Sequence, residues 1–165
     1  AKPYNFSVTP FLVNKQSAQQ GLVTSEPFAI QKAGVTPSVF LMADYGYPPY
    51  AETIETTRSM IDNHPDLVRR FVKASMLGWQ SYLNDPAAAN ALIKRDNPEM
   101  TDEQLAFGIA TLKQYGIVTG GDAQQHGPGV MTGERWQALY DFMHKGGLLN
   151  KAVDIQQVYS LDFLP

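Results

Sequence analysis

Apolar positions change period part-way along the chain, and that change separates the elements the sequence predicts. Over residues 20–57 they come in short runs or alternate. Leu22 and Val23 lead into Thr24, Ser25 and Glu26, which reads as a short buried strand turning straight into a helix. Pro27 suits a first helical turn, where its missing N–H costs nothing, and Ser25 is placed to accept a bond from an orphan N–H. The helix runs through Phe28, Ile30 and Lys32 and stops at Gly34. After the turn Val35-Thr36-Pro37, the apolar run Ser38-Val39-Phe40-Leu41-Met42-Ala43 predicts a central strand. Strand, helix and strand in that order make the parallel crossover unit of an α/β sheet. Thr53 to Thr57 alternates and is rich in β-branched residues, which predicts a further short strand.

Beyond residue 60 the period becomes helical. Pro65 opens a helix whose Leu67, Val68, Phe71, Val72, Ser75, Trp79, Tyr82 and Leu83 recur at three- and four-residue steps, with Gly78 placed to allow another helix to cross closely. Asp85-Pro86 starts a helix from Ala87 to about Arg95. Thr101 with Gln104 forms a capping box ahead of Leu105, Ile109, Leu112 and Tyr115, ending at Gly116. Thr132 opens a last long helix with Trp136, Leu139, Tyr140 and Met143 on its apolar face and Gly146 as its stop. Residues 1–18 are apolar enough to be buried, but Pro3 and Pro10 leave their structure open, and Ala1-Lys2-Pro3-Tyr4 resembles neither a signal peptide nor an ordinary folded start. The tail from Val153 to Tyr159 predicts a helical turn or two before Leu161 and Phe163 dock.

Two stretches break the pattern. Asp44-Tyr45-Gly46-Tyr47-Pro48-Pro49-Tyr50 cannot be regular, and its tyrosines suit either stacking on a heteroaromatic ring or packing the loop onto the sheet. Gly120 to Gly129 is a loop without the lysine-bearing pattern of a phosphate cradle, and reads as a connection.

Composition narrows the chemistry. With 44% apolar and 18% charged residues the chain is globular in character, and its net charge of −3 gives no basic footprint for nucleic acid. It has no cysteine, hence no disulfide and no thiolate chemistry. No apolar run reaches the roughly eighteen residues needed to cross a bilayer. His64, His126 and His144 have no ligand spacing to one another or to a carboxylate pair, so no metal, cofactor or catalytic set is expected. At the corner, capping of a surface helix accounts for Ser25 and Glu26 more simply than ligand binding does.

The segment Gln20-Gly21-Leu22-Val23-Thr24-Ser25-Glu26-Pro27 resembles the Q-G-Y-V-T-S/N-E-P segment of solute-binding proteins of ABC importers, in the branch that includes sulfonate, nitrate and thiamine-pyrimidine-precursor binders. The resemblance continues through Phe40 to Tyr50, Asn63-His64-Pro65-Asp66-Leu67-Val68-Arg69-Arg70-Phe71, Gly78-Trp79 and Asp96 to Gln104, in order and spacing. It matches the C-terminal half of those two-lobe proteins. It therefore implies the C-terminal half of a type II periplasmic-binding-protein fold of α/β class, helix-rich after residue 60, and a chain that is a fragment of a longer protein. Residues 1–45 would belong to one lobe and residues 46–165 to the crossover and the other.

The resemblance further implies a periplasmic or extracytoplasmic receptor that closes on a small polar or heteroaromatic solute and docks on an importer permease. Thr24, Ser25, Glu26, Tyr45 and Tyr47 would face the solute, Glu26 accepting from an amine or hydroxyl and the tyrosines stacking or capping. Leu22 stands where relatives often carry tyrosine, which removes one aromatic contact. Apolar faces that the other half would cover imply either that half as a partner or self-association. Two other readings remain. Thiamine-pyrimidine-synthesis enzymes share the fold, but their cysteine-rich iron site has no counterpart here. A helical interaction domain over residues 60–150 would leave the tyrosine loop unstructured.

Overall fold

The computed structural model describes residues 3–47, 49–149 and 151–165; Ala1, Lys2 and Pro48, which fall in segments discussed above, lie outside the described residues. By internal contacts the chain divides into two units, Ala1–Leu41 with Asp85–Ile117, and Met42–Asn84 with Val118–Pro165.

The first unit holds helices α1 (Thr9–Val13) and α2 (Glu26–Lys32). The second begins with a 3-10 turn (Met42–Tyr45), α3 (Arg58–Asn63) and α4 (Pro65–Asn84). The chain then returns to the first unit for α5 (Ala87–Asp96) and α6 (Asp102–Gln114), and ends in the second with α7 (Ala123–His126), α8 (Gly133–Lys145) and a 3-10 turn at Ile155–Gln157.

In the first unit the helix ends follow their local chemistry. Thr101 Oγ1 accepts the Gln104 N–H at 3.1 Å and so caps α6, whose first turn carries Asp102 and Glu103 at its positive end. Gly34 and Gly116 follow α2 and α6 with φ of 79° and 59°, a conformation costly for any residue with a Cβ. Ile30 of α2 and Leu105 of α6, 5% and 7% exposed, are its buried apolar side chains among the described residues, and Thr111 is buried with them. The Phe28 and Phe107 rings meet at 5.4 Å and Lys32 pairs with Glu103, tying α2 to α6. Tyr115, expected to face inward, is exposed.

In the second unit Thr57 caps α3, its Oγ1 accepting the Met60 N–H at 3.1 Å, and Thr132 caps α8 through the Arg135 N–H at 3.3 Å. The Trp136 ring lies 5.7 Å from Tyr50 and stacks on Tyr159 at 5.7 Å, which holds the 3-10 turn near the C-terminus against α8. Arg69 of α4 lies over the Phe163 ring. The apolar set of α4 is wider than one stripe: Val68 is buried, whereas Leu67, Phe71 and Trp79 are exposed. Gly78, expected to admit a crossing helix, has no atom within 4 Å of where a Cβ would stand.

The three expected strands do not form among the described residues. Residues 20–22, 38–41 and 53–57 carry no ladder, and residues 42–45 are 3-10 helical. Helices dominate after residue 60 as expected, but the expected α/β layering does not form among the described residues. The physical reason lies in what a strand requires. A helix satisfies its backbone within itself, whereas a strand exists by pairing with another segment, and these three have no ladder partner among the described residues. Their apolar residues face water instead, Phe40 at 71% exposure. The surface area reflects this. The chain exposes 12157 Å², whereas two separate globules sharing its 18.3 kDa would expose about 10,000 Å².

Candidate functional site

The corner at residues 21–26 is built around one carboxylate. Glu26 Oε2 accepts the Leu22 N–H at 2.6 Å, closing the turn onto the start of α2, and Oε1 accepts the hydroxyl of Tyr4. The side chain folds back so closely that a Cβ on Gly21 would stand 3.0 Å from Glu26 Cβ and Cγ. Glycine before the turn is thus a consequence of the acid that follows it. Ser25 is the residue before α2, yet its side chain caps nothing; its carbonyl receives the Phe28 N–H at 3.1 Å while Glu26 takes over the ordering of the turn. The expected capping role of Ser25 is therefore corrected, and its hydroxyl makes no helix-capping bond. Thr24, Ser25 and Glu26 are all half-buried. The Thr24 carbonyl lies 3.7 Å from the Cβ position of Gly108, so the corner rests on α6 of its own unit.

Tyr4 is the corner residue the sequence did not reveal. Its hydrogen bond to Glu26 first, then burial and the negative charge beside it, push the phenol up to about 12. A folded-state value above the free one means that this bond contributes fully below about pH 10 and is lost as pH rises through the folded value.

Tyr45 and Tyr47 belong to the second unit and are treated differently by it. Tyr47 packs on Phe142 of α8 with ring centroids 4.9 Å apart, which fixes the loop, whereas Tyr45 is 70% exposed. Tyr50 anchors the end of the same loop. Its hydroxyl donates to Asp122 Oδ2 at 2.7 Å and accepts the Thr132 N–H at 2.8 Å, and burial followed by the bond to Asp122 raises the phenol. Arg135 stands 4.2 Å from the Tyr50 ring centroid and donates to the Pro49 carbonyl at 2.9 Å. Asp122 gives the glycine-rich loop a structural anchor. These contacts join residues far apart in sequence, so no local spacing signals them.

Among the described residues no group of three His, Asp or Glu could hold a metal ion, and no helix is long and apolar enough to cross a membrane. An open groove of about 480 Å³ lies between α5 and α6, lined by Asn90, Asp102, Ile109 and Lys113 among others, and includes none of the five sequence-derived candidates. It is open and mostly apolar, and lacks the convergent polar groups of a ligand site.

A family model described as NMT1/THI5 like matches residues 3–89, a stretch that takes in the corner, both candidate tyrosines and the whole of α4. The chain belongs to the NMT1/THI5-like family. The family implies a type II periplasmic-binding fold, whose strands do not form among the described residues of this chain. The chain is also similar to the riboflavin-binding protein RibY of Chloroflexus aurantiacus, 31% identical over 146 residues. That alignment covers 88% of this chain and 41% of RibY, so the chain spans less than half the length of the curated relative it matches. No solved structure matches it. Within the NMT1/THI5-like match, Gly21 and Glu26 are the positions whose chemistry the structure explains most directly: the acid holds the turn and the glycine makes room for it.

Proposed function

We propose that this chain is part of the extracytoplasmic solute receptor of an ABC importer, and that its solute is a small heteroaromatic molecule bearing hydroxyl groups, of the flavin type. The observation that carries the reading is the likeness to a riboflavin-binding protein over 88% of the chain, within a family whose model covers the corner. The geometry is compatible with it. A half-buried carboxylate that already holds a phenolic hydroxyl is a site for a hydroxyl donor, and it follows the half-buried Thr24 and Ser25 directly in sequence. Within the second unit, Tyr45 is exposed on the loop that Tyr47 anchors on Phe142, and its ring is a flat face of the kind that stacks on a heteroaromatic ring. The enzyme alternative gains nothing from a relative that is a binding protein.

In this reading residues 1–45 belong to one lobe and residues 46–165 to the crossover and the other, solute binding shifts an open–closed equilibrium, and the closed form docks on the permease. The remaining part of a longer polypeptide would pair the segments at 20–23, 38–43 and 53–57 as strands and cover Phe40 and Phe71. Titration of the full-length protein with riboflavin, followed by quenching of the flavin fluorescence, is expected to saturate at one equivalent. An unchanged flavin signal at high protein concentration would overturn the assignment of the solute class.

A further inference from the structure

We propose that Tyr4 occupies the place on Glu26 that a ligand hydroxyl takes, so that residues 3–8 form a displaceable plug over the corner. The inference rests on the solute-binding reading above and deepens it. Three observations carry it. The two oxygens of Glu26 have different duties. Oε2 is bound to the Leu22 N–H of its own turn, whereas Oε1 is held by a side chain 22 residues away in sequence. Tyr4 is chemically a surrogate for a hydroxylated ligand, presenting one O–H to a carboxylate with an apolar ring behind it.

The segment that carries Tyr4 is also exposed and strained at Phe6. The Tyr4 ring leans on Phe6 at 4.7 Å, but Phe6 is itself 84% exposed and adopts φ of 59°, in the left-handed region that a residue with a Cβ disfavours. Strain and an exposed aromatic ring at one position favour a segment that can leave. When Tyr4 withdraws, Oε1 becomes an acceptor without a donor in a half-buried position, and a ligand hydroxyl or amine restores the bond. A solute that offers only negative charge, such as a sulfonate or nitrate, cannot do so and is repelled by Glu26. The corner therefore selects hydroxyl or amine donors over anions.

The test compares the full-length protein with its Tyr4→Phe variant, using riboflavin as the hydroxylated probe and nitrate as the anionic one. Phenylalanine keeps the ring and removes the competing bond. Riboflavin is expected to bind the variant about fivefold to tenfold more tightly, the equivalent of one hydrogen bond of ordinary net strength. The gain should lie in the association rate, because the binding-competent state is no longer the minor one, while dissociation is unchanged. Nitrate should bind neither protein. Unchanged or weaker riboflavin binding by the variant would overturn the plug and mark Tyr4 as scaffold or ligand contact, leaving the solute reading intact. Tight nitrate binding would overturn the selection of donors. Riboflavin binding to neither protein would overturn the solute reading and the plug with it.

Discussion

Ile30→Ala is expected to destabilise the first unit by about 2–4 kcal/mol, the range for truncating a buried aliphatic side chain with incomplete collapse of the space left behind. The size of the effect follows from how little else is buried. Ile30 and Leu105 are the buried apolar side chains of that unit among the described residues, so Ile30 carries a large share of its core. α2 and α6 are also tied by the Phe28–Phe107 contact and the Lys32–Glu103 pair. That pair is exposed and contributes little. Equilibrium urea unfolding followed by circular dichroism measures the loss, and a change below about 1 kcal/mol would place the core elsewhere. Because the corner rests on α6 through the approach of Thr24 to Gly108, the substitution should also loosen the Glu26 turn.

The second large effect is expected at Arg135. Its guanidinium covers the Tyr50 ring at 4.2 Å, donates to the Pro49 carbonyl at 2.9 Å and stands 3.4 Å from Asp122 Oδ2. Arg135→Ala removes all three at once and leaves a half-buried carboxylate with one fewer positive neighbour, for a loss of about 2–3 kcal/mol. Arg135→Lys keeps the charge but neither the planar stack nor the forked donors, and is expected to recover less than half of that loss. The same unfolding experiment compares them, and full recovery by lysine would show that charge alone accounts for the contact. Release of Tyr50 in the alanine variant should also free the end of the loop that carries Tyr45 and Tyr47.

What the sequence made legible was what a segment decides for itself. The helical period after residue 60, the Thr101 and Thr132 caps and the stop at Gly34 depend on neighbours within a turn or two, and each is found where the pattern puts it. Strands depend on partners, and the runs at 22–23, 38–43 and 53–57 have the composition of strands without a ladder among the described residues. The short helices α1, α3 and α7 had no periodicity long enough to read. At the corner, Glu26 was visible through its motif and spacing. Its engagement by Tyr4 was not, because nothing in an irregular proline-bearing segment indicates which carboxylate a tyrosine will meet. Ser25 had the composition of a cap, but the carboxylate one residue later orders the turn in its place. The Tyr50–Asp122–Arg135 cluster was hidden for the same reason, since it joins a tyrosine loop, a glycine loop and a helix start that are separate in sequence.

Non-denaturing mass spectrometry of the full-length protein tests the central claim most directly, as isolated from its native source and after incubation with riboflavin. The solute-receptor reading expects a small molecule retained on the polypeptide at one per chain in at least one of the two samples, and released on denaturation. A bare polypeptide mass in both samples would contradict it.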